Sequence, residues 1–488
     1  MMGKDGMRCR RRGVGGIEHG MMRMWRSSTT SLPFTCQKPL SFCHSSLKIL
    51  MVVLMIMITL LCSSECCAGN KNQVEQPHGA AAPCLVGVAP TPGALFANYP
   101  PNVRLFNVYA SVPIDAEDSK RLIADFHAAA RRRNATLMVT VELAHGQQLD
   151  DAVATGTLAS AFGAIAKLCQ DFSKRGLTGG CIIRPLPEMN GSWFTWGRQP
   201  SLAKQAFQQL SAVRNDATKV LWAPNYGAGY PFNDKGSQDA ISLEQLDVNG
   251  DGVLDAQDDP YAPYFPGPEH CDFVGLSLYS YPPWPWSDPV RMHDNKLAPW
   301  LGVEARPNAM QDKIFGQYPG EMHVPNFWDA YVLRYDKPFV LAETASFFVA
   351  PEHSPTGGFR GMHFVKNASD VVLSAELAIK SSWWRQVFNA SFCEEHAGKV
   401  HAMVWFDVAK AEWEVSPRVV DWRAWYGGAL QQQSGEEPQG VVEHQKSSFA
   451  GSKLERSLYT PLSGSALERA REVSTALRAH VAQSWPPP

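Results

Sequence analysis

The stretch GCIIRPLPEMNGSWFTWG, residues 180–197, opens as a short apolar run and ends in a loop of aromatic and turn residues. Seven further runs share its first half: CLVGVAP (84–90), RLFNVYA (104–110), ATLMVTVEL (135–143), KVLWAPN (219–225), FVGLSLY (273–279), PFVLAET (338–344) and AMVWFD (402–407). Strands that are apolar on both faces must be covered on both faces, which predicts a parallel sheet clothed by helices. Leu158, Phe162, Ile165, Cys169 and Phe172 trace one helix face between the runs, and Leu373, Leu377, Trp384 and Phe388 trace another. Eight strands alternating with helices predict an α/β fold, a (β/α)8 TIM barrel with loop insertions, over residues 84–428. The alternative, an open doubly wound sheet, lacks a glycine-rich nucleotide loop here.

Outside those bounds the composition changes. Residues 1–68 hold nine Lys/Arg against three acids, leaving 36 basic and 44 acidic residues in 69–488. An acidic body excludes a nucleic-acid partner held through phosphates. Ile49 to Cys62 is an uncharged apolar run behind a basic stretch, the layout of a secretory signal with cleavage expected after Ala68. It is short for a membrane span, so the chain is expected to be secreted, with membrane anchoring only if the signal is left uncut. Residues 69–83 read as a linker, and 429–488 as a low-complexity tail with a possible helix at 466–482. Five cysteines lie in the body, so at least one thiol stays unpaired within the chain. Asn134, Asn367 and Asn389 begin glycosylation sequons.

Glu188 follows the fourth strand among Trp193, Phe194 and Trp196, and Glu343 ends the seventh. In a barrel those strand ends face one opening, and two carboxyls flanking a glycosidic bond are the machinery of glycoside hydrolysis. The segment around Glu188, with WAPN (222–225), YFPGPEHCDFVGLSLYSY (264–281), KPFVLAETAS (337–346) and VWFDVAKAEWEVSPRVVDWR (404–423), resembles glycoside hydrolase family 26, the family of β-mannanases and related endoglycanases. The resemblance implies a retaining mechanism, with Glu188 as acid/base and Glu343 as nucleophile. It also implies that Tyr279 hydrogen-bonds the nucleophile, that Trp405 is the aromatic floor under the sugar, and that Arg184, Asn190, Trp193, Trp196 and Asn225 line the cleft. Arg184 has a second reading, as a residue that orients Glu188. Pro187 departs from the pattern, standing where family mannanases usually carry His.

The expected substrate is a polysaccharide, mannan, galactomannan or glucomannan. A β-1,3-xylan, a mixed-linkage glucan, or glycan binding without turnover are the alternatives. No cofactor is expected for catalysis. A second motif, DVNGDGVLDAQDD, places Asp247, Asn249, Asp251, the Val253 carbonyl, Asp255 and Asp258 at the oxygen-ligand positions of an EF-hand-type loop, and predicts a structural calcium ion.

Overall fold

The computed structural model describes residues 84–232, 240–281, 302–321, 323–349, 368–411, 419–427 and 464–485. The leader, the linker at 69–83 and the Asn367 sequon lie outside them. In chain order the elements are β1 Leu85–Pro90, β2 Val103–Val112, α1 Ala116–Ala130, β3 Thr136–Leu143, α2 Leu149–Ala154, α3 Thr157–Ser173, β4 Cys181–Pro185, α4 Pro200–Val213, β5 Thr218–Trp222 and α5 Ala240–Leu246. There follow β6 Phe273–Ser277, α6 Ala309–Ile314, β7 Phe339–Thr344, α7 Ala368–Val387, α8 Ala390–Glu395, β8 Val400–Asp407, β9 Ala409–Ala411, β10 Val419–Asp421 and α9 Gly464–Ser484.

Strands β1 to β8 pair in sequence order, all parallel, and β1 closes on β8 from Leu85↔Ala402 to Pro90↔Asp407. This is the expected (β/α)8 barrel. The runs carry β-branched and aromatic residues that are buried on both faces, in the barrel interior and under the helices. Gly275 in β6 is required by contact: a Cβ there would stand 2.0 Å from the Val340 carbonyl oxygen. The neighbouring register shift at Leu276/Ser277 pairs Ser277 with Glu343 at the barrel mouth.

Within 429–488 the described residues hold the helix allowed for at 466–482, and it is part of the fold. Helix α9 packs against α7 as the helix that follows the eighth strand in this fold. Leu467, Ala470, Val473, Leu477 and Val481 recur every three or four residues and are buried, although the arginines between them mask the apolar face in the composition. Arg469 Nε bonds Glu376 of α7 at 3.3 Å, Ser474 Oγ donates to the Trp425 carbonyl, and Trp485 Nε1 donates to the Cys84 carbonyl at 3.0 Å. The barrel therefore extends past 428. Disulfides join Cys84 to Cys393 and Cys169 to Cys181. Cys271 is the free thiol among the described residues, buried so that its pKa is pushed up to about 12.

Candidate active site

At the carboxyl ends of the strands, the side chains of β2, β4, β6 and β7 converge on Glu343. Its neighbour Thr344 points outward, donating to the Leu278 carbonyl and accepting from Trp383 Nε1 of α7 at 2.8 Å. The alternation of a strand therefore turns Glu343 inward. Arg184 Nη1 donates to Glu343 Oε2 at 2.7 Å, Tyr279 O–H to Oε1 at 2.5 Å and Tyr109 O–H to Oε2 at 3.1 Å. Arg184 is fully buried, and Nη2 donates to Ser277 Oγ. Its partner is thus Glu343, which answers the reading in which it orients Glu188.

Glu188 sits on a contorted turn. Leu186 and Glu188 both hold left-handed backbone, φ 48° and 55°, a conformation that costs a non-glycine residue on the order of 1–3 kcal/mol. Contacts on every side hold it there. Leu186 N–H donates to the Val141 carbonyl, Glu188 N–H to the Ala223 carbonyl, and Trp196 Nε1 to the Pro187 carbonyl at 2.9 Å. The fully buried Asn190 side chain donates to the Asn225 carbonyl at 2.8 Å and accepts from its N–H at 2.7 Å. Asn190, Trp196 and the Asn225 backbone therefore brace the turn. Trp193 is different: it is 43% exposed, and its Nε1 donates to Glu188 Oε2 at 2.8 Å. The ring folds back over Gly191, where a Cβ would stand 2.4 Å from it.

The two carboxyls have opposed electrostatics. Burial, then the charge of Glu343, raises the Glu188 pKa above its ordinary value, and the opposing pull of Arg184 and Ser277 is smaller. Burial acts on Glu343 in the same sense. There the Arg184 charge and the hydrogen bonds from Tyr279 and Arg184 override it, holding the carboxyl below its ordinary value. The same mouth thus biases one carboxyl toward holding its proton and the other toward losing it.

Trp405 is not the floor of this opening. It is fully buried, its Nε1 donates to the Trp422 carbonyl at 2.9 Å, and its ring packs 6.1 Å from Phe388 beyond the end of α7. Alternation along β8 turns Trp405 toward the helix layer and Phe406 toward Tyr279, 6.2 Å away. The aromatic wall beside Tyr279 is instead Trp422 at 5.0 Å and Tyr281 at 6.1 Å. Sequence reasoning passed over Tyr109, Ser277 and Glu142. Tyr109 and Glu142 were visible as polar groups near the ends of otherwise apolar runs.

In the 247–258 loop the carboxylates are turned onto backbone amides. Asp247 accepts from the N–H groups of Gly250, Asp251 and Gly252, at 2.7, 3.2 and 2.8 Å. The buried Asp258 accepts from Val248 and Asp255, and Asp255 from Gln257. Asn249 donates to Asp251, and the Val253 side chain is exposed. Among the described residues no group of three or more His, Cys, Asp or Glu is placed to hold a metal ion.

No family model matches the chain. Over 115 residues, 24% of the chain, it is 30% identical to a mannan endo-1,4-beta-mannosidase of Bacillus subtilis (strain 168), and the match spans 27% of that relative's length. Among solved structures it is similar to a Cellulomonas fimi endo-beta-1,4-mannanase double mutant, with 15% identity, a TM-score of 0.36, and coverage of 66% of this chain and 64% of that one. It is also similar to the catalytic domain of the Bacillus sp. JAMB-750 GH26 endo-beta-1,4-mannanase, with 12% identity, a TM-score of 0.36, and coverage of 67% and 77%.

Proposed function

We propose that this barrel is a retaining endo-β-glycosidase of family 26 type that hydrolyses β-1,4-mannan, galactomannan or glucomannan. The observation that carries the reading is the opposed electrostatics of Glu188 and Glu343 at one barrel mouth, since an acid and a nucleophile working together need opposite protonation states. Glu343, ionised by Arg184 and oriented by Tyr279 and Tyr109, attacks the anomeric carbon. Glu188 gives its proton to the departing glycosidic oxygen while Trp193 fixes the carboxyl from its outer side. Glu188 then takes a proton from the water that releases the sugar from Glu343. The choice of mannan draws support from the partial match to a mannan endo-1,4-beta-mannosidase.

Secretion is part of the proposal. Two disulfides suit an oxidising compartment, and they support this part of the reading. The test is reducing-sugar release from mannan, galactomannan, glucomannan, β-1,3-xylan and mixed-linkage glucan, with proton NMR of the first-formed anomer. Release from a mannan with retained configuration supports the reading. An inverted product overturns the role of Glu343, release only from another β-glycan overturns the substrate, and turnover of none overturns the activity.

A further inference from the structure

Glu142 takes no part in the mechanism above, yet it stands at the same opening. It is the penultimate residue of β3, one alternation above Thr140, whose neighbour in register on β4 is Arg184. Thr140 faces the barrel interior, where its Oγ1 donates to Asn107 Oδ1 at 2.7 Å, and both residues are fully buried. Alternation puts Glu142 on that inward side, as it puts Tyr109 on the inward side of β2 above Asn107. Val141 and Leu143, the residues on either side, are buried on the opposite face.

Unlike Glu188 and Glu343, the half-buried Glu142 carboxyl has no protein hydrogen bond or ion pair among the described residues. The charged and titratable groups around it come from every side of the mouth: Glu343 on β7, Arg184 on β4, Lys410 on β9, Glu188 on the turn after β4, and Tyr109 on β2. Thr140, one alternation below it, stands in register between Tyr109 on β2 and Arg184 on β4, which both donate to Glu343 Oε2, and this sets Glu142 on the nucleophile's side of the cleft. An inward carboxyl at a barrel mouth, left unsatisfied by protein, has its bonding capacity open to what enters.

We propose that Glu142 is a third functional carboxyl of the cleft, one that hydrogen-bonds a hydroxyl of the sugar bound over Glu343 and so determines which glycone is accepted. The inference rests on the glycosidase reading and goes beyond it. Burial, then repulsion by Glu343, pushes the Glu142 pKa up to about 7 against the pull of Arg184 and Lys410. Below that value the carboxyl is neutral and both donates to and accepts from sugar hydroxyls. Above it the group only accepts, and its charge opposes that of Glu343.

The test compares wild type, Glu142→Gln and Glu142→Ala on aryl β-mannobiosides and aryl β-cellobiosides between pH 5 and 9. Glu142→Ala is expected to raise KM for the preferred glycone roughly tenfold or more, with a smaller change in kcat. Glu142→Gln keeps a neutral donor and acceptor. It should therefore retain wild-type KM at low pH and lose the rise in KM that wild type undergoes near neutrality. A purely structural side chain would move neither the KM-against-kcat split nor the pH dependence. Wild-type activity with unchanged KM and pH profile in a folded Glu142→Gln and Glu142→Ala overturns this inference and leaves the glycosidase reading standing. A wild type that turns over no β-glycan overturns both.

Discussion

Replacing Arg184 by Met tests the wiring of the candidate site most directly. The guanidinium is fully buried and lies 2.7 Å from the Glu343 carboxylate, with a second bond to Ser277. Methionine keeps much of the side-chain bulk and removes the charge, leaving Glu343 buried with only the Tyr279 and Tyr109 hydroxyls. Breaking a buried ion pair from one side destabilises by roughly 3–5 kcal/mol, because the surviving charge is left uncompensated. The sign against pH follows from Glu343. Its folded pKa lies below the ordinary carboxylate value, so its stabilising contribution is complete above that value and is lost as pH falls through the folded pKa. Urea unfolding should therefore find Arg184→Met weaker by about 3–5 kcal/mol at neutral pH, with the gap to wild type narrowing on acidification. In the same variant burial would hold the proton on Glu343, and the acid limb of kcat/KM should move to higher pH. A neutral-pH difference below about 1 kcal/mol, or an equal difference at both ends of the pH range, would refute the assignment of Arg184 as the counter-charge that ionises Glu343.

Other perturbations reach separate parts of the molecule. Glu343→Ala should abolish turnover of every substrate, whereas Glu188→Ala should retain turnover of an aryl glycoside whose leaving group needs no proton, with azide restoring rate; equal, unrescued losses would undo the division of roles. Ending the chain before α9 exposes the faces that Leu467, Val473, Leu477 and Val481 cover, so the truncated protein should melt well below the full chain, and unchanged melting would mean the helix is dispensable. A structural calcium ion in the 247–258 loop is proposed from ligand spacing: added calcium should raise the melting temperature and Asp251→Ala should remove the rise, while indifference to calcium and chelator leaves an acidic turn tied by its own amides.

The barrel was legible because each strand announced itself locally, as an apolar run bounded by turn residues, and eight such runs admit few architectures. The places of Glu188 and Glu343 near strand ends were legible with the barrel, and the structure sets both at its mouth, whereas Glu142, also near a strand end, was passed over. What needed the fold was direction. Whether Trp405 faces the mouth or the helices depends on the phase of β8, a one-residue distinction that the run AMVWFD does not carry. The bonds from Tyr109 and Arg184 to one oxygen of Glu343 join residues 234 and 159 positions away, and spacing along the chain holds no trace of them. Helix α9 was half legible: a helix at 466–482 was expected, and its partner was hidden because the face it covers belongs to α7.

The hydrogen bond between Trp485 and the Cys84 carbonyl spans 401 positions, and the β1–β8 pairing closes the barrel across 317. At a synthesis rate of roughly 5–20 residues per second, the first strand waits about 16 to 63 seconds for the eighth. Through that interval the edge of β1 is unpaired, a template for association with other chains. Production of this protein should therefore respond to chaperone supply and to translation speed more than to the final stability of the barrel, and crowding nascent chains together should reduce the yield of folded protein.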